Sequence, residues 1–177
     1  PALPICDPHH HLWDANIDPA AKFRSEQVES RYLFHEFLAE ISSGHNVVST
    51  IFIECGSMYR ADGPRHMRPV GETEFVNGVA AQSASGLYGN TQVAAAIVGY
   101  ADLRLGERAR DILQAHIQAG GGRFRGVRHA SASDPHDGVL GADHTNPNGD
   151  VFYDDGFRQG FAQLAPLDMS FDAWLYH

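Results

Sequence analysis

Cysteine is scarce in this sequence. Cys6 and Cys55 are the only two, and each lies at the end of an apolar, strand-like run. Two cysteines cannot form the framework of several disulfides that stabilises small secreted domains, so we expect both to be free, buried thiols. Free thiols persist in reducing compartments, and the sequence therefore predicts a cytoplasmic protein.

Long apolar runs and positive charge are also lacking. No stretch approaches the roughly 20 apolar residues of a membrane span, and no basic segment followed by an apolar run indicates a secretory signal. The 13 lysines and arginines are outnumbered by 22 acidic residues, which gives a formal net charge of −9. That balance argues against nonspecific binding to nucleic acid or anionic membranes. We expect a small molecule as the partner, and the sequence leaves homo-oligomer formation open.

What the sequence does contain is a regular alternation of strand and helix patterns. With 177 residues, 43% of them hydrophobic, the chain is expected to form one domain over residues 1–177. The apolar runs predict five strands, over residues 3–7, 47–55, 92–100, 124–130 and 169–177. Apolar residues at helical spacing predict four helices between them, around residues 33–41, 75–80, 109–117 and 157–164. This order indicates βαβ units and a parallel sheet.

The stretch DPHHHLWD, residues 7–14, carries the clearest chemical signal. In an extended strand, residues i and i+2 point to the same side, so His9 and His11 are expected to project together and His10 away from them. Two imidazoles at this spacing, at the carboxyl end of a parallel strand, are well placed to bind one divalent cation. Because a metal needs more than two ligands, His177 at the end of the fifth strand is a third candidate.

Other strands are followed by polar residues at the same predicted edge. Glu54 is a candidate catalytic residue, or else an ion-pair partner of a nearby arginine. Arg128 is a candidate for binding a substrate carboxylate or carbonyl, or else a structural partner of Glu54 or Asp102. His129 follows Arg128 and is a candidate substrate-binding residue.

Two predicted connections are long and follow strands. Residues 56–71 carry a basic group that is either a contact for an anionic substrate, with Arg60 as the main candidate, or a solvated loop; its members are Arg60, Arg65, His66 and Arg68. Residues 129–153 are rich in Gly, Asp, Asn and Pro. Long loops in compact domains are usually functional or mobile.

At DPHHHLWD the sequence resembles the amidohydrolase superfamily, whose first strand ends in an Asp-x-His-x-His signature. More narrowly, it resembles the branch of predicted metal-dependent TIM-barrel hydrolases related to aldonolactonases and pyrone-dicarboxylate lactonases. The supporting stretches are IFIECGSMYR at 51–60, GETEFV at 71–76, FRGVRHA at 124–130 and FDAWLYH at 171–177. Together they extend over nearly the whole chain.

This resemblance implies a (β/α)8 TIM barrel and hydrolysis of a lactone or a related ester or amide. His9 and His11 would bind a divalent cation, usually zinc, that activates water and polarises the carbonyl. Arg128 would orient the substrate, and His177 lies where some relatives have a further ligand. Some lactonase relatives work without metal, and their histidines orient the substrate and stabilise an oxyanion.

The chain departs from this family in its length. A (β/α)8 barrel takes about 250 residues, whereas this sequence predicts five strands and four helices. The family has a histidine on the sixth strand and an aspartate on the eighth, and this aspartate is its usual general base or metal ligand. Neither residue has a counterpart in this sequence. We therefore expect a truncated barrel that is weakly active or inactive by itself.

Two other functions remain open from the sequence. One is a decarboxylase of the same superfamily that uses the same histidines on a small carboxylate. The other is a non-catalytic, doubly wound five-stranded domain that binds a ligand or a metal. The doubly wound domain predicts strand order 2-1-3-4-5, whereas a truncated barrel predicts sequential order.

Overall fold

A parallel β-sheet is the centre of the protein. The computed structural model describes residues 2–17, 30–134 and 151–175. In chain order, the strands of this part are β1 (Ile5–His10), β2 (Trp13–Asp14), β3 (Arg31–Tyr32), β4 (Val47–Ile53), β5 (Gln92–Tyr100), β6 (Phe124–Arg128) and β7 (Ser170–Asp172). Five of them form the main sheet, and β2 and β3 pair as a small antiparallel ribbon that the sequence did not predict.

The main sheet has the order β1-β4-β5-β6-β7, and all neighbouring strands are parallel. The strands therefore follow one another in sequence order, as a truncated barrel requires. The order expected for a doubly wound domain is not the observed one. The alternation of parallel strands with helices confirms the predicted α/β class, and the sheet is curled into a half-barrel. Its two edge strands, β1 and β7, each have one neighbour among the described strands.

In the described residues, four α-helices accompany the sheet: α1 (Phe34–Ile41), α2 (Val70–Ala84), α3 (Ala109–Ala119) and α4 (Asp155–Phe161). The predicted number of helices is confirmed, although α2 begins five residues before the apolar periodicity at residue 75. Helix α4 is capped by Asp154, whose carboxylate accepts a hydrogen bond from the Phe157 amide at 2.7 Å. None of the described helices is long and apolar enough to cross a bilayer.

The hydrophobic core fills the space between sheet and helices. Helix α2 packs against β5 and α3, and α4 packs against the 3₁₀ segment Leu103–Arg108. Cys55 is buried in this core, as expected, but Cys6 is exposed, so the prediction of a buried Cys6 is wrong. Cys6 lies on an edge strand, where a side chain is covered on fewer sides than in a central strand.

The strand ends differ from the predicted bounds. The first strand was expected to stop at Asp7, but β1 continues to His10 and carries an irregularity between Asp7 and His10. The last strand, β7, has three residues instead of the predicted nine. His177 and most of the predicted 129–153 connection lie outside the described residues.

Candidate functional site

His9 and His11 meet at the carboxyl end of β1, as their spacing predicts. Their Nε2 atoms are 3.0 Å apart and the rings are nearly perpendicular, at 87°. The backbone amide of His9 donates to the carboxylate of Asp7 at 3.1 Å, so the aspartate of the motif stabilises the local backbone. His9 is exposed and His11 is half-buried, which leaves the pair accessible from solvent.

A hydrogen bond to the neighbouring strand orients the His11 ring. Nδ1 of His11 lies 2.8 Å from the carbonyl oxygen of Ile53, at the end of β4. A carbonyl can only accept, so Nδ1 carries the proton and Nε2 of His11 is left as an electron-pair donor. Two nitrogens bound to one tetrahedral zinc ion, each at 2.0–2.1 Å, are about 3.3 Å apart. The pair therefore fits two of the ligands of such an ion.

His10 points into the protein, which confirms the predicted alternation. Its ring stacks on Phe37 with centroids 4.3 Å apart and contacts Phe52 edge-on at 5.7 Å. Burial lowers the pKa of His10 to about 4, so the ring is neutral at physiological pH. His10 fixes the strand against α1 and does not belong to the accessible pair.

Arg128 lies at the carboxyl end of β6, on the edge of the sheet that also carries His9 and His11 and that forms the mouth of the half-barrel. Its partner is a residue that the sequence did not indicate. Its guanidinium donates to Asp172 on β7, with Nε–Oδ2 and Nη2–Oδ2 distances of 2.9 and 2.6 Å. Asp102, one of the two predicted alternatives, pairs with Arg104 instead. Strand pairing decides this, because Arg128 and Asp172 are adjacent across β6 and β7.

Electrostatics connects β1 with the far edge of the sheet. Burial lowers the pKa of His9, Arg128 lowers this pKa further, and Asp172 and Asp7 oppose the shift. In a flat sheet β1 and β7 would be about 19 Å apart, at about 4.8 Å per strand. The influence of Asp172 on His9 thus agrees with the curl, which brings the two groups toward a common mouth.

Glu54 follows β4 and is half-buried. Its amide donates to the Val98 carbonyl at 2.8 Å, which extends the pairing between β4 and β5. Its charge raises the pKa of three nearby groups, Glu72, Tyr59 and Tyr100. The carboxyl group of Glu54 therefore belongs to a cluster of acidic groups at the end of β4.

Glu72 is the acidic residue that sequence reasoning missed. It is 1% exposed, and its Oε1 accepts from the amides of Cys55 and Ser57 at 3.0 and 2.8 Å. Its Oε2 has no hydrogen-bond partner among the described residues. Burial, with the charge of Glu54 adding to it, raises the pKa of Glu72 to about 8. The available signal was an acidic residue four positions before Val76, and thus on the same face once the helix extends back to Val70.

The segment that leaves β4 is packed closely on the start of α2. A Cβ at Gly71 would lie 2.6 Å from the Arg60 amide nitrogen and 2.7 Å from the Met58 carbonyl oxygen. The Arg60 amide donates to the Arg68 carbonyl at 3.0 Å. Met58 has a positive φ of 55°. Gly71 and Glu72 therefore fix the path of the chain that begins at Glu54 and ends at Arg60.

The remaining candidate residues occupy different surroundings. Arg60 forms an exposed ion pair with Glu74. His129 is 4% exposed, its Nδ1 accepts from the Leu103 amide at 3.3 Å, and its ring packs between Tyr100 and Phe157. Burial lowers the pKa of His129. Neither role in substrate binding is tested by these contacts, and both stay predictions.

A complete metal site is not visible in the part of the chain that the structure describes. Residues 2–17, 30–134 and 151–175 contain no group of three or more His, Cys, Asp or Glu side chains that could hold a metal ion. His9 and His11 are thus two candidate ligands, and the third candidate, His177, lies outside the described residues.

Comparison with known proteins gives one distant relative of unassigned function. The chain is 29% identical over 185 aligned positions to the uncharacterized protein y4mH of Sinorhizobium fredii. The alignment includes 99% of this chain and 54% of the relative, so the chain spans about half the length of the curated protein that it matches. No family model and no solved structure matches the chain.

Proposed function

We propose that this chain is part of a (β/α)8-barrel hydrolase of the amidohydrolase type, which attacks a lactone or a related ester or amide carbonyl with activated water. The observation that carries the proposal is the pair of Nε2 atoms, 3.0 Å apart, at the carboxyl end of β1. Enzymes of the parallel α/β-barrel class build their active sites at this end of the strands.

In this proposal His9 and His11 hold a divalent cation, and zinc suits two imidazole ligands. When bound, such a cation polarises a carbonyl group and activates water. The hydrogen bond from His11 Nδ1 to the Ile53 carbonyl keeps the coordinating nitrogen, Nε2, directed toward His9. His177 remains the predicted third ligand, and a metal-free mechanism, in which the two rings orient the substrate, remains the alternative.

The other chain residues would bind and orient the substrate. Asp172 holds the Arg128 guanidinium in place, and the remaining N–H groups of Arg128 would bind a substrate carbonyl or carboxylate. Glu54 would take part in proton transfer through its carboxyl group. Arg60 and His129 stay as predicted substrate-binding residues.

Two observations support a longer barrel. The chain spans about half of its relative, and the sheet edges at β1 and β7 are both open among the described strands. Closing a barrel removes such edges, which otherwise invite pairing with other chains. We propose that the whole protein supplies the missing strands and the remaining ligands, including a general base.

The test is metal content together with hydrolysis. The longer protein is purified as wild type and as the double variant His9→Ala/His11→Ala, analysed for metals, and assayed on a panel of sugar lactones. We expect about one zinc or manganese per chain in the wild type, with loss of both metal and activity in the variant. His35→Ala/His45→Ala is the matched control, because both histidines are exposed and lie on other segments.

Three outcomes separate the possibilities. Metal that is retained in the His9/His11 variant would show that these residues are not ligands. Hydrolysis by a protein without metal would support the metal-free mechanism. A metal-free wild type without hydrolytic activity would refute the proposed function.

A further inference from the structure

A second concave site lies beside the carboxyl ends of β4 and β5. This cavity, of about 690 Å³, is bordered by the segment 59–69 and the turn that follows β5. Its volume is within the range of sites for small organic ligands, about 300–1,000 Å³. Four arginines line it: Arg60, Arg65, Arg68 and Arg104.

The charges of these arginines are only partly compensated. Arg60 pairs with Glu74, and Arg104 pairs with Asp102. Among the described residues neither Arg65 nor Arg68 forms an ion pair. The Nε of Arg68 donates to the carbonyl oxygen of Gly63 at 3.3 Å, which leaves its terminal N–H groups for another acceptor. Two uncompensated guanidinium groups at one cavity form a local positive field in a chain of net charge −9.

Two tyrosines complete the walls. Tyr59 and Tyr100 line the cavity together with the arginines. Burial raises the pKa of Tyr59, and it raises the pKa of Tyr100 to about 12, so both phenols stay protonated and uncharged. Their rings offer apolar surface, and their hydroxyl groups offer hydrogen bonds without adding negative charge.

We infer that this cavity binds a small organic anion, whose carboxylate or phosphate contacts Arg65 and Arg68 and whose body lies against Tyr59 and Tyr100. The planar guanidinium forks of two arginines suit either oxyanion. The inference does not depend on the proposed hydrolase activity, because it uses neither His9 nor His11 and concerns binding alone.

Ligand-observed NMR with three probes tests this inference. Benzoate, phenyl phosphate and benzamide share one ring and differ in carrying a carboxylate, a phosphate or no charge. At low salt we expect the two anions to bind the wild-type chain at least about tenfold more tightly than benzamide. The tighter of the two anions identifies the oxyanion that the cavity prefers, and either preference supports the inference.

Two double variants assign the binding to this cavity. Arg65→Gln/Arg68→Gln is expected to weaken anion binding by at least about tenfold, because the loss of even one charged hydrogen bond has about this effect. Arg125→Gln/Arg158→Gln removes the same charge from two exposed arginines on β6 and α4 and is expected to change affinity less than about twofold. Equal unfolding temperatures of the two variants verify that both are folded.

Several results would overturn the inference. The first is the absence of anion binding by the folded wild type. The second is equal weakening in both double variants, which would show that the anion responds only to the overall positive charge of the surface. A third is loss of binding in His9→Ala/His11→Ala with Arg65→Gln/Arg68→Gln unaffected, because the anion would then sit at the histidine pair. If the hydrolase proposal alone is wrong, anion binding in the arginine cavity persists while lactone hydrolysis is absent.

Discussion

Individual residues at the end of β4 show how a buried acid can organise a candidate site. The Glu72 carboxyl group accepts two backbone hydrogen bonds from the segment that follows Glu54, and it does so with almost no exposure to water. Burying a carboxylate is costly, and the group responds with a pKa of about 8. The protonation state of Glu72 is therefore linked to the backbone path of residues 55–57.

Replacing Glu72 with glutamine is expected to reduce the pH dependence of stability. The folded pKa of about 8 is higher than the unfolded value of about 4.3, so the folded state binds this proton more tightly. The resulting stabilisation is present at low pH and is lost as the pH rises through 8. Glutamine keeps an oxygen for the Cys55 and Ser57 amides but cannot ionise. Urea unfolding at about pH 5, 7 and 8.5 should show a smaller decline for the variant.

Glu74→Gln is the matched control for this prediction. Glu74 lies in the same helix but is exposed, and its pairing with Arg60 lowers its pKa. A lowered pKa stabilises the fold above the unfolded value and costs stability only as the pH falls through the folded value. The control should therefore decline with rising pH like the wild type. An equal decline in Glu72→Gln and the wild type would show that Glu72 does not titrate in this range.

At the scale of elements, the contact of α2 with residues 54–60, the β4 exit segment, fixes the local geometry. Gly71 lies where the helix and this segment are in backbone contact, with Arg60 and Met58 on the other side. Gly78 lies in the same helix, is exposed, and a Cβ there would meet nothing within 4 Å. The two glycines therefore separate the effect of helix propensity from the effect of this contact.

Alanine is expected to have opposite effects at these two positions. Gly71→Ala should lower the free energy of unfolding by about 1–3 kcal/mol, since the added methyl overlaps backbone atoms that must move. Gly78→Ala should raise it by about 0.5–1 kcal/mol, because alanine favours the helix and nothing obstructs it. Chemical denaturation of both variants measures these changes. Stabilisation by Gly71→Ala would mean that the segment yields readily and is not fixed by the helix.

At the scale of the whole molecule, the outer edge of β7, which has no neighbour among the described strands, carries an exposed aromatic surface. A cavity of about 340 Å³ there is lined by four phenylalanines, an arginine and an alanine: Phe152, Phe157, Phe161, Phe171, Arg158 and Ala173. Phe161 is 45% exposed, and its ring centroid lies 5.3 Å from that of Phe171. An apolar surface beside an unpaired strand edge favours association with other chains.

We expect the isolated chain to self-associate through this surface. Sedimentation velocity at increasing concentration should show growing oligomers for the wild type and fewer for Phe161→Ser, because the substitution removes exposed apolar area at the edge. Leu87→Ser is the control, since Leu87 is 84% exposed in a turn after α2. A wild type that stays monomeric, or an equal effect of Leu87→Ser, would contradict a role of the β7 edge.

The sequence by itself determined the features that depend on local periodicity. Alternating apolar runs and helical spacing identified five parallel strands and four helices, although strand ends moved by several residues. The i, i+2 geometry of a strand correctly placed His9 beside His11 and turned His10 inward. The Asp154 cap of α4 is equally local, because the cap and the Phe157 amide are three residues apart. Side chains this close in sequence have their relative directions fixed by backbone geometry.

Only the tertiary structure decided which distant residues meet. Arg128 and Asp172 are 44 positions apart and become neighbours through the pairing of β6 with β7. Cys6 is exposed because β1 is an edge strand, and Glu72 is buried because α2 packs on the β4 exit segment. The order and curl of the sheet likewise arise from contacts between strands far apart in the chain. Local periodicity specifies the face that a side chain occupies, whereas its partner depends on strand register and packing across the whole sheet.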